Sequence, residues 1–535
     1  MYASSIDKSR GGEALDGNDK RLDLGAFESK VGSSEKIDNS PQASIHEGED
    51  VLGLQNLDPA LNAKMRLVNN AIDEIGWTNY HWKLFVLNGF GYAVDSLVLL
   101  LQANIAKQAY LEFGKVGYAN ALTVSVYAGM LTGAIFWGMG ADIIGRRWAF
   151  NLSLFICSGA VIVAGAAPNW ASLGFFIALV GFGAGGNLIL DTTVFLEYLP
   201  GSKQWVLTFL ACWWGLGQAI TGFICWGFLV PANWNCTSLD DCPRKSNMGW
   251  RYVMFTAGTL VFIMSVLRVT VVRLKETPKY HLGTGDDAAL VDTLQSLAQR
   301  YKRPCSLTVE QLSACGTVQS AHSETRFSLK ETAVHLRGLF ITKTIGISTG
   351  LIWLSWTMIG LAYPLFYVFL STYLASHGIS ASNTPYETWR NYTLTNISGI
   401  PGPMIAGLLC NVGWLGRRYT MAIGSLATAA FFFAYPSVSG SAQSLGFECA
   451  IAFCINVYYG CLYAYTPEVL PSAHRATGNG VAVACNRLMG IISAVVASTA
   501  DTSATAPIYV CAALFLAMAG VSAVFPFEPY GKRSS

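Results

Sequence analysis

Long apolar blocks joined by short polar loops are the dominant pattern of the chain beyond residue 83. Twelve blocks approach the roughly 20 residues that an α-helix needs to cross the hydrocarbon core of a membrane. Six occupy residues 84–106, 117–137, 149–167, 172–190, 206–230 and 252–272, and six occupy 346–374, 394–410, 421–435, 445–465, 481–498 and 508–525. The pattern predicts an all-α membrane protein with twelve transmembrane helices.

The polar segments between and around these blocks divide the chain into five regions. Residues 1–73 are acidic and polar, which predicts a disordered cytoplasmic tail. Residues 74–272 and 344–526 form two predicted six-helix bundles. Residues 273–343 are too charged to cross a bilayer and are expected to form a cytoplasmic central loop, and residues 527–535 form a second cytoplasmic tail.

The composition supports this division. Hydrophobic residues make up 52% of the 535 residues and charged residues only 13%, against about 25% charged in soluble globular chains. The mean hydropathy is +0.39. A net charge of +2 without a basic stripe excludes nucleic acid as a partner. No apolar signal peptide precedes the first block, so the first span must direct insertion, with the amino terminus in the cytoplasm.

Loop charges give the same topology. With the amino terminus inside, the cytoplasmic loops carry more Lys and Arg than the outer loops, as the positive-inside rule requires. Three glycosylation sequons then lie outside, at Asn235, Asn391 and Asn396, and modification of Asn396 is left open because it lies close to the bilayer. Cys236 and Cys242 lie in the same outer loop as Asn235, where a disulfide between them is possible.

The two halves of the chain repeat each other. Gly145-Arg-Arg recurs at Gly416, and Glu197-Tyr-Leu-Pro recurs as Glu468-Val-Leu-Pro, both at an offset of 271 positions (468 − 197 = 271). One offset shared by unrelated motifs indicates a duplication. Two parallel six-helix repeats place a solute site between them, near the middle of the membrane.

The loop after the second block carries a demanding spacing, Gly138-Met-Gly-Ala-Asp142-Ile-Ile-Gly145-Arg-Arg. It resembles the signature loop of the major facilitator superfamily, whose fold is two six-helix bundles. Glu276-Thr-Pro-Lys-Tyr, the segment from Tyr465 to Gly478 and the terminal element around Glu528 are similar to elements of the sugar-porter and synaptic-vesicle-glycoprotein-like branch, in fungal style. The predicted gating residues are Gly138, Asp142, Gly145, Arg146, Arg147, Glu197, Glu468 and Arg475.

This chain departs from that pattern at several positions. Ile177 stands where the branch often has an arginine, Gly413 replaces the aspartate of the second signature loop, and Pro529 replaces a threonine. The resemblance therefore implies transport but not sugar specificity.

Two ionisable residues near mid-span are the sharpest functional candidates, because a charge at the bilayer centre is costly enough to need a partner or a cavity. Asp95 in the first span is the proton-coupling candidate, with a fixed ion pair as the alternative. Arg487 in the eleventh span either binds an anionic group of the solute or neutralises an aspartate across the bundle.

The resemblance implies that the first, fourth, seventh and tenth spans line the cavity. With Arg487, the substrate-binding candidates are Asn88, Asn187, Asp191, Tyr363, Asn456 and Tyr459. Gly181-Phe-Gly-Ala-Gly-Gly and Gly346-Ile-Ser-Thr-Gly match enzyme motifs, but both lie in predicted spans and follow no strand. No catalytic residue, metal or cofactor is predicted.

The expected function is secondary active transport of a small organic solute by alternating access, as proton-coupled uptake. Two alternatives remain open, an exporter of a metabolite or toxin with the same fold and a non-transporting solute sensor. The expected partners are the solute, protons and the lipid bilayer, with the protein acting as a monomer. The outer sequons favour the plasma membrane over the vacuole.

Overall fold

The computed structural model of the chain describes residues 59–113, 120–237, 242–272, 275–318, 333, 336–376, 384–471, 474–499 and 505–531. The regular elements of these ranges are helices. Ten of the described segments are long and apolar enough to cross a membrane. One broken helix and one 19-residue helix in the second half complete the twelve predicted spans.

The first half contains six spans in seven helices, because the fifth span is interrupted at Ala211. The helices are α2 (Asn79–Phe113), α3 (Ala121–Ile144), α4 (Arg146–Gly165), α5 (Trp170–Tyr198), α6 (Trp205–Leu210), α7 (Cys212–Leu229) and α8 (Gly249–Leu267). They follow the six early blocks. A π-helical turn, Arg268–Val272, extends α8 beyond Leu267.

The second half repeats this arrangement. Its helices are α12 (Lys343–Ser376), α13 (Pro385–Ser398), α14 (Pro401–Leu409), α15 (Gly416–Ala434), α16 (Ser441–Glu468), α17 (Arg475–Thr499) and α18 (Ala506–Ala523). Pro364 lies inside α12, whereas the eighth span breaks at Gly399 and Ile400 and restarts at Pro401. Proline favours such a break because it has no N–H to donate within a helix.

Part of the predicted tail and of the predicted central loop is helical. These helices are α1 (Pro59–Ile75), α9 (Pro278–Thr284), α10 (Asp287–Tyr301) and α11 (Val309–Ala314). One face of α1, including Val68 and Ile72, packs with Leu290 and Leu294 of α10 in a separate apolar cluster. Disorder up to residue 73 is therefore wrong for residues 59–73, because the apolar face of α1 has a partner. Residues 1–58 of the tail lie outside the described ranges.

The two halves contact each other at both ends of their interface. Helix α3 packs along α17, and α7 packs along α13. Near the end that carries the signature loop, Gly138 and Gly480 approach so closely that a Cβ on either would crowd the other's backbone. Towards the opposite end, Asn104 donates to the hydroxyl of Tyr392 at 3.1 Å. Side chains at the middle of this interface are therefore enclosed on both sides.

Candidate functional site

A carboxylate caps the helix that follows the signature loop. Gly145 has φ 98°, a conformation that favours glycine. It turns the chain so that Arg146 N donates to Glu276 Oε1 at 2.9 Å and Arg147 N donates to Oε2 at 3.2 Å. A negative charge at the amino end of α4 is favourable because the unpaired N–H groups and the helix dipole are positive there.

The second half repeats the cap. Gly416 has φ 55°, and Glu528 accepts hydrogen bonds from Arg417 N at 3.0 Å and from Arg418 N at 3.1 Å. Glu276 and Glu528 follow the sixth and twelfth spans, respectively. The segments that contain Glu276 and Glu528 thus perform the same structural role in each repeat.

Five buried side chains form what we call the inner gate: Arg146, Glu197, Arg417, Glu468 and Arg475. Glu197 Oε1 lies 3.0 Å from Arg146 Nη2 in its own half and 3.9 Å from Arg475 Nη1 in the other half. Glu468 pairs with Arg417, whose Nη2 also donates to the carbonyl of Gln204 across the interface at 3.3 Å. Each repeat therefore has a glutamate–arginine pair that is linked to the opposite half.

The other predicted gating residues lie around this cluster. Gly138 makes the close approach to Gly480 described above. Arg147 is exposed beside Trp148, a position suited to the membrane surface, whereas Arg146 is buried. Asp142 belongs to α3, but its side chain lies outside what the structure describes.

His281 lies beside the gate in α9. Burial lowers its pKa below the usual 6.5, although Glu276 and Asp286 act in the opposite direction. The imidazole is therefore neutral at ordinary cytoplasmic pH. It adds no positive charge to the arginines nearby.

A second connection between the halves lies at mid-membrane. Asp95 of α2 and Arg487 of α17 form an ion pair with 2.8 Å between Oδ2 and Nη2, and their side chains are 0% and 4% exposed. Asp95 Oδ1 and Arg487 Nε have no hydrogen-bond partner among the described residues. The fold thus brings together Asp95 and Arg487, the two charged residues predicted near mid-span, although they are 392 positions apart in the sequence.

Another buried pair, Asp191 with Arg268, lies entirely within the first half. Arg268 also donates to the carbonyls of Phe150 and Leu87, at 3.0 and 3.4 Å, and lies over the Phe150 ring at 3.7 Å. Because these groups saturate the guanidinium, the pair fixes α5 against α8. Asp191, predicted as a substrate contact, has this structural role here.

Aromatic rings from both halves pack together near Arg487, whose charge interacts with the hydroxyl groups of Tyr459 and Tyr463. Trp214 of α7 lies against Tyr459 and Tyr463 of α16, with 6.3 Å and 5.8 Å between centroids. Tyr363 of α12 packs edge-on against Tyr459 and accepts a hydrogen bond from Gln218 of α7 at 2.8 Å. Tyr363 and Tyr459 therefore lie where the sequence analysis expects solute contacts.

Two of the predicted solute contacts are engaged elsewhere. Asn187 accepts a hydrogen bond from Ser153 at 2.9 Å and so joins α5 to α4. Asn456 donates to Ala452 O and packs against Gly399 and Gly402, so it joins α16 to the eighth span. Asn88 is fully buried in α2, and its amide has no hydrogen-bond partner among the described residues.

The side chains of the three predicted glycosylation sequons make hydrogen bonds within the protein. Asn396 is 6% exposed inside α13 and donates to Tyr392 O, so its side-chain amide is buried and engaged within the protein. Asn391 lies in the same helix, where the sequon hydroxyl of Thr393 is buried and bonded to Trp389 O. Asn235 uses its Nδ2 to donate to Phe228 O and Pro231 O. Next to it, the possible disulfide is present between Cys236 and Cys242.

Sequence reasoning did not single out Tyr463, Trp214 or Tyr127, which all lie in the mid-membrane cluster. Tyr463 contacts the rings of Tyr92, Trp214, Trp356 and Tyr459. Aromatic residues occur in most of the spans, so their type alone carried no signal. The spacing of Tyr459 and Tyr463, one helical turn apart, was a signal that could have identified Tyr463.

Comparisons with known proteins agree with this architecture. Residues 84–494 match the model of the Major Facilitator Superfamily. The MFS siderochrome iron transporter 1 of Ceriporiopsis subvermispora is 38% identical over 488 residues, which cover 89% of this chain and 93% of that protein. The synaptic vesicle 2-related protein of Rattus norvegicus is 25% identical over 492 residues, covering 87% and 82%.

A solved structure shows the same fold. The proton:xylose symporter XylE bound to 6-bromo-6-deoxy-D-glucose superposes with a TM-score of 0.63 at 14% identity, covering 85% of this chain and 98% of that one. The resemblance inferred from the signature loop and the later motifs is confirmed by these matches. The chain belongs to the major facilitator superfamily of membrane transporters.

Proposed function

We propose that this transporter takes up a small organic solute together with protons by alternating access. The observation that carries the proposal is the ion pair between Asp95 and Arg487, which joins the two halves at mid-membrane. Helices α2 and α17 belong to different halves, so rocking of the halves changes the separation of these two charges.

Protonation of Asp95 supplies the coupling. Separating two buried opposite charges is costly, because each then lacks a partner in a medium of low dielectric. A proton on Asp95 removes one of the charges and lowers the cost of separating the halves. Binding of the proton and movement of the halves are therefore linked, as coupled transport requires.

Two further features support alternating access. The inner gate contacts both halves through Arg475 and Arg417, so it favours closure on the cytoplasmic side. The break between α13 and α14 gives the second half a bend point beside the interface. The structural relative XylE is described as a proton:xylose symporter, which is consistent with coupling in this fold.

The test is uptake of labelled sugars, carboxylates, aromatic acids and amines into cells that express the wild type or Asp95→Asn. Uptake is measured at two external pH values, with and without a protonophore. The control is Asp292→Asn, which removes an exposed carboxylate of α10. We expect uptake that rises at acid pH and loses this dependence only in Asp95→Asn. Uptake indifferent to pH in the wild type, or efflux alone, would overturn the proposal in favour of uncoupled transport or export.

We further propose that the protein acts as a monomer in the plasma membrane. The disulfide in the outer loop supports an extracytoplasmic position for that loop, since disulfides persist in oxidising compartments. Fluorescence microscopy of a carboxyl-terminal fusion tests the location, and labelling of the vacuolar membrane alone would contradict it.

A further inference from the structure

The aromatic groups beside Arg487 form a layered stack. The rings of Tyr459 and Tyr463 are inclined by 17° with centroids 5.4 Å apart, and Trp214 is inclined by 24° to Tyr459. The hydroxyl groups of Tyr127, Tyr459 and Tyr463 are within electrostatic range of the Arg487 guanidinium. A stack of flat rings whose hydroxyl groups interact with a buried cation matches a ligand with a flat ring and an anionic end.

Only some of the hydrogen-bond donors of the Arg487 guanidinium have acceptors. It makes one 2.8 Å contact with Asp95 and a long 3.4 Å contact with Asn486 Oδ1. Its Nε and Asp95 Oδ1 have no hydrogen-bond partner among the described residues. A buried N–H without an acceptor is costly. A carboxylate placed against the planar guanidinium can accept two parallel hydrogen bonds and satisfy it.

Arg268 provides an internal comparison. That guanidinium is equally buried, but a carboxylate, two backbone carbonyls and a phenyl ring occupy its surroundings. It also lies within one half, so nothing bound to it would experience the movement between halves. Arg487 differs in both respects, because it has unused donor capacity and lies at the interface.

We propose, on the basis of the proposed function, that the solute is a planar aromatic monocarboxylate whose carboxylate replaces Asp95 on Arg487 while Asp95 takes up the proton. The ring inserts beside the stack formed by Trp214, Tyr459 and Tyr463.

The charges balance in this exchange. Before binding, Asp95 and Arg487 sum to zero. The solute brings one negative charge and the proton one positive charge, so the enclosed site remains neutral. An O–H bond forms on Asp95, the Asp95–Arg487 ion pair breaks, and a solute–Arg487 ion pair replaces it, with no other bond changed. A dicarboxylate would leave one negative charge unpaired in the membrane, which is unfavourable.

Calorimetry on the purified full-length protein tests the exchange. Pyridine-3-carboxylate and 4-hydroxybenzoate are titrated in buffers of different ionisation enthalpy, which gives the number of protons taken up per ligand bound. Their neutral amides and a benzene dicarboxylate serve as comparison ligands. We expect one proton per bound monocarboxylate at neutral pH and binding at least about tenfold weaker for the amides, since the ionic contact with Arg487 is lost. The dicarboxylate should bind at least equally weakly.

Variants separate the roles of the two charges. Asp95→Asn should still bind the monocarboxylate, with no proton uptake, because the competing carboxylate is gone. Arg487→Gln should lose binding, and Arg487→Lys should weaken it about tenfold because an ammonium cannot make the bidentate contact. The control Arg244→Gln, which removes an exposed cation from the outer loop, should bind as the wild type does.

The outcomes that overturn the inference are distinct from those that overturn the proposed function. Equal affinity for acid and amide, absence of proton uptake by the wild type, or wild-type binding by Arg487→Gln contradicts the carboxylate exchange. If a neutral solute is nevertheless accumulated under a proton gradient in an Asp95-dependent manner, proton-coupled uptake stands and only the solute class is wrong. The proton count on the wild type needs no variant, so misfolding of a variant does not affect it.

Discussion

Removing the carboxylate of Glu197 should release the inner gate. Glu197 lies between Arg146 of its own half and Arg475 of the other, and all three side chains are at most 3% exposed. In Glu197→Gln the contact across the interface loses its charge, whereas Arg475 keeps its hydrogen bond to Leu470 O within its own half at 3.4 Å. The substitution therefore destabilises the closed arrangement of the gate more than the open one.

The magnitude follows from the 3.9 Å separation between Glu197 Oε1 and Arg475 Nη1. At an effective dielectric constant of about 20, opposite unit charges at that distance attract by about 4 kcal/mol. Desolvation of Arg475 on closure offsets much of this. Close charge pairs across interfaces show net coupling from about 1.5 kcal/mol upward. We therefore expect the ratio of inward-open to closed molecules to rise about tenfold, since 1.4 kcal/mol corresponds to that factor.

Double electron–electron resonance between spin labels measures this ratio. Labels carried by a ketone-bearing amino acid at the exposed positions Ser202 and Asn411 report the separation of the cytoplasmic ends and avoid the native cysteines. The matched control is Glu112→Gln, which removes a carboxylate from a buried pair with Arg251 inside the first half. That change should cost about 3–5 kcal/mol of stability without altering the distance distribution. An unchanged distribution in Glu197→Gln, or an equal shift in the control, would refute the reasoning.

Four further changes have expected outcomes of their own. Gly138→Val should abolish transport while leaving the protein folded in detergent, because the valine side chain would collide with Gly480. Size-exclusion chromatography checks the folding and an uptake assay checks the transport; normal uptake would contradict the prediction. Val68→Asp should lower the melting temperature, since it buries a charge in the α1–α10 cluster at a cost of several kcal/mol, whereas the exposed Arg66→Asp should not. His281 is held neutral by burial, so its contribution to stability is complete above pH about 6.5 and decreases as the pH falls below that value. The melting temperature of His281→Gln should therefore fall less steeply at acid pH than that of the wild type. An unchanged pH profile of the melting temperature would argue against the buried neutral form. Cys242→Ser should lower the melting temperature under oxidising conditions and make it insensitive to reductant, and a response equal to that of the wild type would contradict a structural role for this disulfide.

The sequence predicted what depends on local pattern. The spans are long apolar blocks, and the structure places a helix or a helix pair at each of them. Glu197 and Glu468 were recognised because the repeat gives both the same neighbours. Helix α1 was missed because its 17 residues lie within a polar segment, and its apolar face becomes stable only by packing with apolar residues of α9, α10 and α11.

The site could be predicted only in part. Asp95 and Arg487 stood out singly, because charge is rare within spans, but their pairing depends on the approach of α2 to α17 and is not a property of either segment. Asn187 and Asn456 looked equally suitable as solute contacts. The direction of each side chain around its helix decides that they join neighbouring helices instead, and spacing alone did not fix those faces.

The duplication explains why the gate is paired whereas the centre is not. At and around the inner gate, the same roles in each half belong to Gly145 and Gly416, to Glu197 and Glu468, and to the capping carboxylates Glu276 and Glu528. The offset of 271 positions takes Asp95 to Phe366 and Arg487 to Leu216, so neither charge has a counterpart. A gate must bind both halves with similar strength, and this requirement favours retention of the same residues at the equivalent positions of the two halves. A single solute site needs only one such ion pair, and a second buried pair at mid-membrane would add a further desolvation cost.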